Sequence, residues 1–66
     1  MTSLKEIHES LINGQRRQMA DKIDQYGLYE VWDDLNRYVS ELYAVPTMAM
    51  AAYADIVISY HRIRNR

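Results

Sequence analysis

The chain has 66 residues, no cysteine and a net charge of −1, which limits it to one domain, residues 1–66, and excludes disulfides, thiolate metal sites and a cysteine nucleophile. The balanced charge gives no overall attraction to nucleic acid or to an anionic membrane. Because a core of this size is marginal, self-association or binding to a larger partner is the expected support. The N-terminal residues lack the apolar run of a signal peptide, so the sequence predicts a soluble, cytoplasmic protein without a membrane span.

Two short helices are predicted first, over residues 3–12 and 15–26. Ser3 and Glu6 have the spacing of a capping box, in which each side chain satisfies a free backbone N–H. The Asn-Gly pair at 13–14 interrupts the apolar spacing and is expected to supply the left-handed residues of a turn.

The order of features in residues 7–28, IHESLINGQRRQMADKIDQYGL, resembles the helix–loop–helix part of an ankyrin repeat. This resemblance implies two short antiparallel helices. Ankyrin repeats also begin with a Thr-Pro-Leu-His-type stretch and recur about every 33 residues, and this chain has neither feature. The same segment is similar to small uncharacterised helical proteins encoded by bacterial viruses, a likeness that implies a viral protein.

The third predicted helix, residues 28–44, has the most regular apolar spacing in the chain, with steps of three and four residues. Its segment contains four acids and one arginine, and these lie together on the opposite face: Glu30, Asp33, Asp34, Arg37 and Glu41. We expect this acidic face to bind another protein. The alternative is an ordinary solvated surface.

Proline favours the first turn of a helix and ends the one before it, so the fourth helix is predicted over residues 46–63. Between 48 and 58 it is apolar nearly all round, which is typical of a helix buried by its neighbours or by a second copy. We expect a homodimer formed by Met50, Ala51, Tyr53, Ala54, Val57 and Ile58.

Asp55 is the one charge within that apolar stretch. We expect it to be exposed. If it were buried, it would need a cationic partner, for which His61, Arg62 or an arginine of another protomer are the candidates.

A rival hypothesis is a nucleic-acid-binding regulator. The basic residues available for phosphate contacts are Arg16, Arg17, Lys22, Arg62, Arg64 and Arg66. Binding through them would weaken steeply with salt. Residues 62–66 are alternatively a frayed, solvated basic tail.

The two histidines, His8 and His61, are far apart, and no nucleophile, phosphate-binding glycine loop or metal-ligand spacing accompanies either one. No catalytic residue, cofactor or metal is therefore predicted, although either histidine is a formal candidate for a general base. The sequence as a whole predicts an all-α bundle of about four helices that acts as a small regulatory or inhibitory protein.

Overall fold

The computed structural model describes residues 2–65, which form four helices: α1 (Leu4–Ile12), α2 (Arg16–Tyr26), α3 (Leu28–Leu42) and α4 (Pro46–Arg64). No strand occurs within this range. The all-α fold and the number of helices are as predicted, and each helix boundary lies within two residues of the predicted one. α3 ends earlier than expected, at Leu42, because Tyr43 already has an extended backbone (φ −97°, ψ 124°).

The first turn of α1 and the turn after it follow local sequence signals. The Ser3 hydroxyl accepts a hydrogen bond from the backbone N–H of Glu6 (3.2 Å), as the capping pattern predicts. Gly14 is left-handed (φ 72°). Asn13 was expected to be left-handed too, and that was wrong. It keeps φ −81° because its N–H extends the helical pattern by bonding to the carbonyl of Glu9.

Gly27 alone connects α2 to α3. Its backbone has φ 121° and ψ 121°, a conformation that side-chain-bearing L-residues avoid. The Gly27 N–H donates to the carbonyl of Ile23, the last turn of α2, and its own carbonyl accepts from Val31 in α3. This one residue therefore ends one helix and begins the next.

All four helices contribute to one buried cluster, formed by Ile7, Met19, Ala20, Ile23, Val31, Leu35, Ile56 and Tyr60. Trp32 lies half-buried beside this core, with its ring edge-on to Tyr60 at 5.4 Å between centroids. α1 packs against α2 and α3, and α4 packs mainly against the same two helices from another side. The middle helices α2 and α3 therefore hold the outer two together.

α4 presents apolar residues on two sides. Ala49, Ile56 and Tyr60 form the stripe that enters the core. On the opposite side Met50 is 71% exposed and Ile58 is 50% exposed. Residues 2–65 thus cover only one of the two apolar sides of this helix.

Candidate protein-binding surface on helix α3

The acidic side chains predicted to bind a partner occupy one side of α3, away from Val31 and Leu35 in the core. The structure brings together all five members of the predicted set on this side: Glu30, Asp33, Asp34, Arg37 and Glu41. Asp34 is partly buried and the other four are exposed. We call this set the acidic face.

A groove runs between the acidic face and the first turn of α1. It has a volume of about 260 Å³ and is lined by Leu4, Asp34, Arg37, Tyr38 and Glu41. Leu4 and Tyr38 supply apolar surface, while the two carboxylates lie along the same groove. Such a mixed lining suits a ligand group that has an apolar stem and a positive end.

Asp34 is held in place by two neighbours. The Tyr26 hydroxyl donates a hydrogen bond to it at 2.5 Å, and the Arg37 guanidinium lies 3.8 Å from its other oxygen. The bond to Asp34, together with burial, raises the pKa of Tyr26 above its ordinary value of 10.0. Within residues 2–65, Glu30, Asp33 and Glu41 form no ion pair, so they are the unneutralised charges of the face.

The basic residues considered for phosphate contacts have a different environment. Arg16 pairs with Asp55 at 3.0 Å, Lys22 lies 3.7 Å from Glu6, and Arg64 contacts two carboxylates. Arg17 and Arg62 are exposed and form no ion pair within residues 2–65. Arg66 lies outside the described residues. The predicted phosphate-binding set therefore has most of its described charge compensated within the protein.

The end of α4 is tied to α2 by a set of side chains that we call the Arg64 cluster: Arg64, Asp21, Asp24 and Tyr60. The Arg64 guanidinium donates to Asp21 (2.7 Å) and to Asp24 (3.0 Å), and the Tyr60 hydroxyl donates to the other oxygen of Asp24 (2.5 Å). Burial raises the pKa of Tyr60 above 10.0, and the hydrogen bond to Asp24 is the second cause of this shift. No sequence signal identified this cluster, because each of its hydrogen bonds joins a residue of α2 to a residue of α4 that is 36 to 43 positions away.

Asp55 is exposed, as predicted, with 48% of its side chain accessible. Its partner is neither His61 nor Arg62. The partner of Asp55 is Arg16, at the start of α2. Arg16 also donates a hydrogen bond to the Ser59 hydroxyl, and that hydroxyl donates to Asp55 at 3.1 Å. The packing of α2 on α4 brings Arg16 to this position. An arginine assigned to phosphate contacts thus compensates the charge of α4.

The two histidines lie in separate environments. His8 is 6% exposed, its Nε2 is 2.6 Å from the Tyr43 hydroxyl, and its ring is edge-on to Tyr38. Burial lowers the pKa of His8 below 6.5, an effect partly opposed by the charge of Glu9. A neutral imidazole whose Nε2 accepts a hydrogen bond from the Tyr43 hydroxyl explains the short distance between these two atoms. His61 is exposed and stacks on Trp32.

His8 contacts Tyr38 and Tyr43, and His61 contacts Trp32, Tyr60 and Asn65. In the part of the chain that the structure describes, no three His, Cys, Asp or Glu side chains are placed to hold a metal ion. The His8 ring lies edge-on to both of its tyrosine neighbours. The arrangement of His8 and Tyr43 fixes α1 against the end of α3.

The residues predicted to mediate self-association are not all at the surface. Met50, Ala51, Ala54 and Ile58 are exposed, and Val57 is partly exposed. Tyr53 instead packs against the core of its own chain, because it lies on the inward side of α4.

The fold and this surface define a small four-helix protein with one acidic face. No protein-family model, curated protein or solved structure matches the chain. None of the helices within residues 2–65 has both the length and the apolar character needed to cross a bilayer.

Proposed function

We propose that this chain is a non-catalytic regulatory or inhibitory protein of the cytoplasm. It acts as a homodimer, and each protomer binds a basic segment of another protein through the acidic face. The observation that carries this proposal is the uneven compensation of charge. Glu30, Asp33 and Glu41 form no ion pair within residues 2–65, whereas Arg16, Lys22 and Arg64 each pair with a carboxylate.

The groove beside the acidic face supports an arginine or lysine ligand. The methylene stem of such a side chain packs on Leu4 and Tyr38, and its charged end reaches the carboxylates of Asp34 and Glu41. The bond from Tyr26 pre-orients Asp34, so less conformational freedom is lost on binding. A planar guanidinium gains more than an ammonium here because it can bond to two oxygens at once.

The proposal is tested with a hexa-arginine peptide, titrated into ¹⁵N-labelled protein at low salt and followed by amide chemical shifts. We expect the largest shifts at Leu4, at Tyr38 and along the acidic face. The double variant Asp33→Lys/Glu41→Lys should weaken binding about five- to tenfold, since each exposed pair contributes about 0.2–1 kcal/mol. A hexa-lysine peptide should bind less tightly.

Glu9→Lys is the matched control. Glu9 is an exposed acid on α1, and reversing it changes the net charge by the same amount as Glu41→Lys alone without touching the acidic face, so these two single variants are compared. Equal loss of binding in the control, or shifts centred elsewhere, would show that the peptide responds only to net charge and would refute the proposal.

The rival nucleic-acid-binding function makes a different prediction. Arg17 and Arg62 would then be the main phosphate contacts, and binding of a DNA duplex in a mobility-shift titration would fall steeply with added salt. We expect no such complex, because Arg16, Lys22 and Arg64 would have to leave their carboxylate partners to contribute.

A further inference from the structure

The outer side of α4 carries a regular stripe of side chains. Thr47, Ala51, Ala54 and Ile58 are all exposed, and their spacing alternates between four and three residues. Coiled-coil helices use this alternation for the residues that meet a partner helix. We call these four residues the α4 seam.

The seam and its flanks suit close contact with another helix. Ala51 and Ala54, at its centre, let a second backbone approach closely, while Met50 beside it adapts to an uneven surface and Val57 adds apolar area. Within residues 2–65, eight large apolar side chains are exposed, and five of them lie between residues 42 and 58. Scattered exposed residues need no explanation, but this concentration marks an interaction surface.

The charges near the seam do not oppose its burial. Asp55 flanks the seam, and its carboxylate is already paired with Arg16 of the same chain at 3.0 Å. Arg62 and His61 lie beyond Ile58, at the C-terminal end of the stripe. The apolar section, residues 47–58, is therefore the part that a partner helix can cover without burying an unpaired charge.

We propose that a second copy of this chain packs on the α4 seam with its own seam antiparallel, about a two-fold axis between Ala51 and Ala54. Ala51 then lies opposite Ala54 of the second copy, and Thr47 lies opposite Ile58 of the second copy. The inference rests on the homodimer in the proposed function and is independent of the acidic face.

The antiparallel direction follows from the composition of the helix. In a parallel pair, Asp55, His61 and Arg62 would each lie beside their own copies, and the two helix dipoles would be aligned unfavourably. The antiparallel pair centred on the alanines separates the two arginine-bearing ends. It overlays only the apolar sections.

A dimer of ordinary size needs more surface than the α4 seam alone. A typical interface covers about 800 Å² on each partner, roughly a sixth of the 4642 Å² that this chain exposes. The overlaid section of α4, residues 47–58, spans about 18 Å. A groove of about 210 Å³ between α4 and the end of α3, lined by Ser40, Tyr43 and Met50 among others, widens the contact beyond a single helix face.

Self-association is tested by light scattering over a wide dilution range, with helicity followed by circular dichroism. We expect twice the chain mass of 7.8 kDa at high concentration. Ile58→Gln should raise the dissociation constant about tenfold or more, because each dimer loses two buried apolar side chains. The control Ile12→Gln alters an exposed isoleucine on α1, 65% accessible against 50% for Ile58, and should change the dissociation constant less than about threefold. A monomer at every concentration would overturn the inference and leave the acidic face untouched.

Disulfide trapping tests the direction of packing, and the absence of native cysteine makes each introduced thiol unique. Thr47→Cys alone and Ile58→Cys alone should not cross-link, because the introduced cysteine of one copy would lie about 16 Å along the helix axis from the same cysteine of the other copy. A refolded mixture of the two variants should cross-link, and Glu9→Cys added to either should not. Efficient cross-linking of Ile58→Cys to itself would show a parallel dimer, which overturns the antiparallel arrangement but keeps the homodimer.

Discussion

The burial of His8 predicts a pH dependence of stability. In the unfolded chain the pKa of His8 is near 6.5, and in the folded protein burial between Tyr38 and Tyr43 lowers it. Protonation would also convert Nε2 from an acceptor into a donor, so the Tyr43 hydroxyl would have to accept instead of donate. The contribution of a neutral His8 is therefore complete above pH 6.5. It is lost as the pH falls from 6.5 towards the folded pKa, since only the unfolded chain takes up the proton.

The size of the effect follows from one proton. Within that pH interval the free energy of unfolding should fall by up to about 1.4 kcal/mol per pH unit. The assay is urea unfolding followed by circular dichroism, from about pH 7.5 to about pH 5, where most carboxylates stay ionised. His8→Gln should be less stable at neutral pH and should lose this slope, whereas His61→Gln keeps His8 and should retain it. The same slope in the wild type and in His8→Gln would refute the reasoning.

Three further predictions are checked by urea unfolding. Tyr60→Phe removes the hydroxyl that bonds to a carboxylate of α2 and should cost about 1 kcal/mol, whereas Tyr29→Phe, at a fully exposed position, should change the unfolding free energy by less than about 0.5 kcal/mol. Gly27→Ala should cost about 1–3 kcal/mol through backbone strain alone, because no atom lies within 4 Å of the added Cβ; an unchanged value would mean that the link between α2 and α3 can relax. Leu35→Ala should lower the free energy of unfolding by about 2–5 kcal/mol and leave little of the helical signal. Leu42→Ala changes a half-exposed leucine of the same helix and is the matched control. Equal losses of unfolding free energy in the two variants would contradict the assigned core.

The helices could be predicted because their signals are local. The serine cap, the Asn-Gly turn, Gly27 and Pro46 each act within one helical turn of the boundary that they determine. The inward sides of α3 and α4 followed from apolar spacing in the same way, and Leu35 and Ile56 on these sides are fully buried.

The polar contacts between helices could not be predicted. The candidate partners named for a buried Asp55 did not include Arg16 of the same chain, and the Arg64 cluster was missed, because these contacts depend on how α2 and α4 pack. The same holds for His8, whose burial depends on Tyr43, 35 residues away. The residues of the acidic face were brought together as expected because they belong to a single helix. Their role in binding remains a prediction.

The Arg64 cluster has a consequence for the order of folding. It joins residues about 40 positions apart, whereas the helical hairpins on either side of Gly27 and Pro46 need only local loop closure, which is faster. The cluster should therefore form after the rate-limiting step. Substituting Asp24 with Asn should accelerate unfolding in stopped-flow experiments and leave the refolding rate nearly unchanged, so that the cluster sets the lifetime of the folded state.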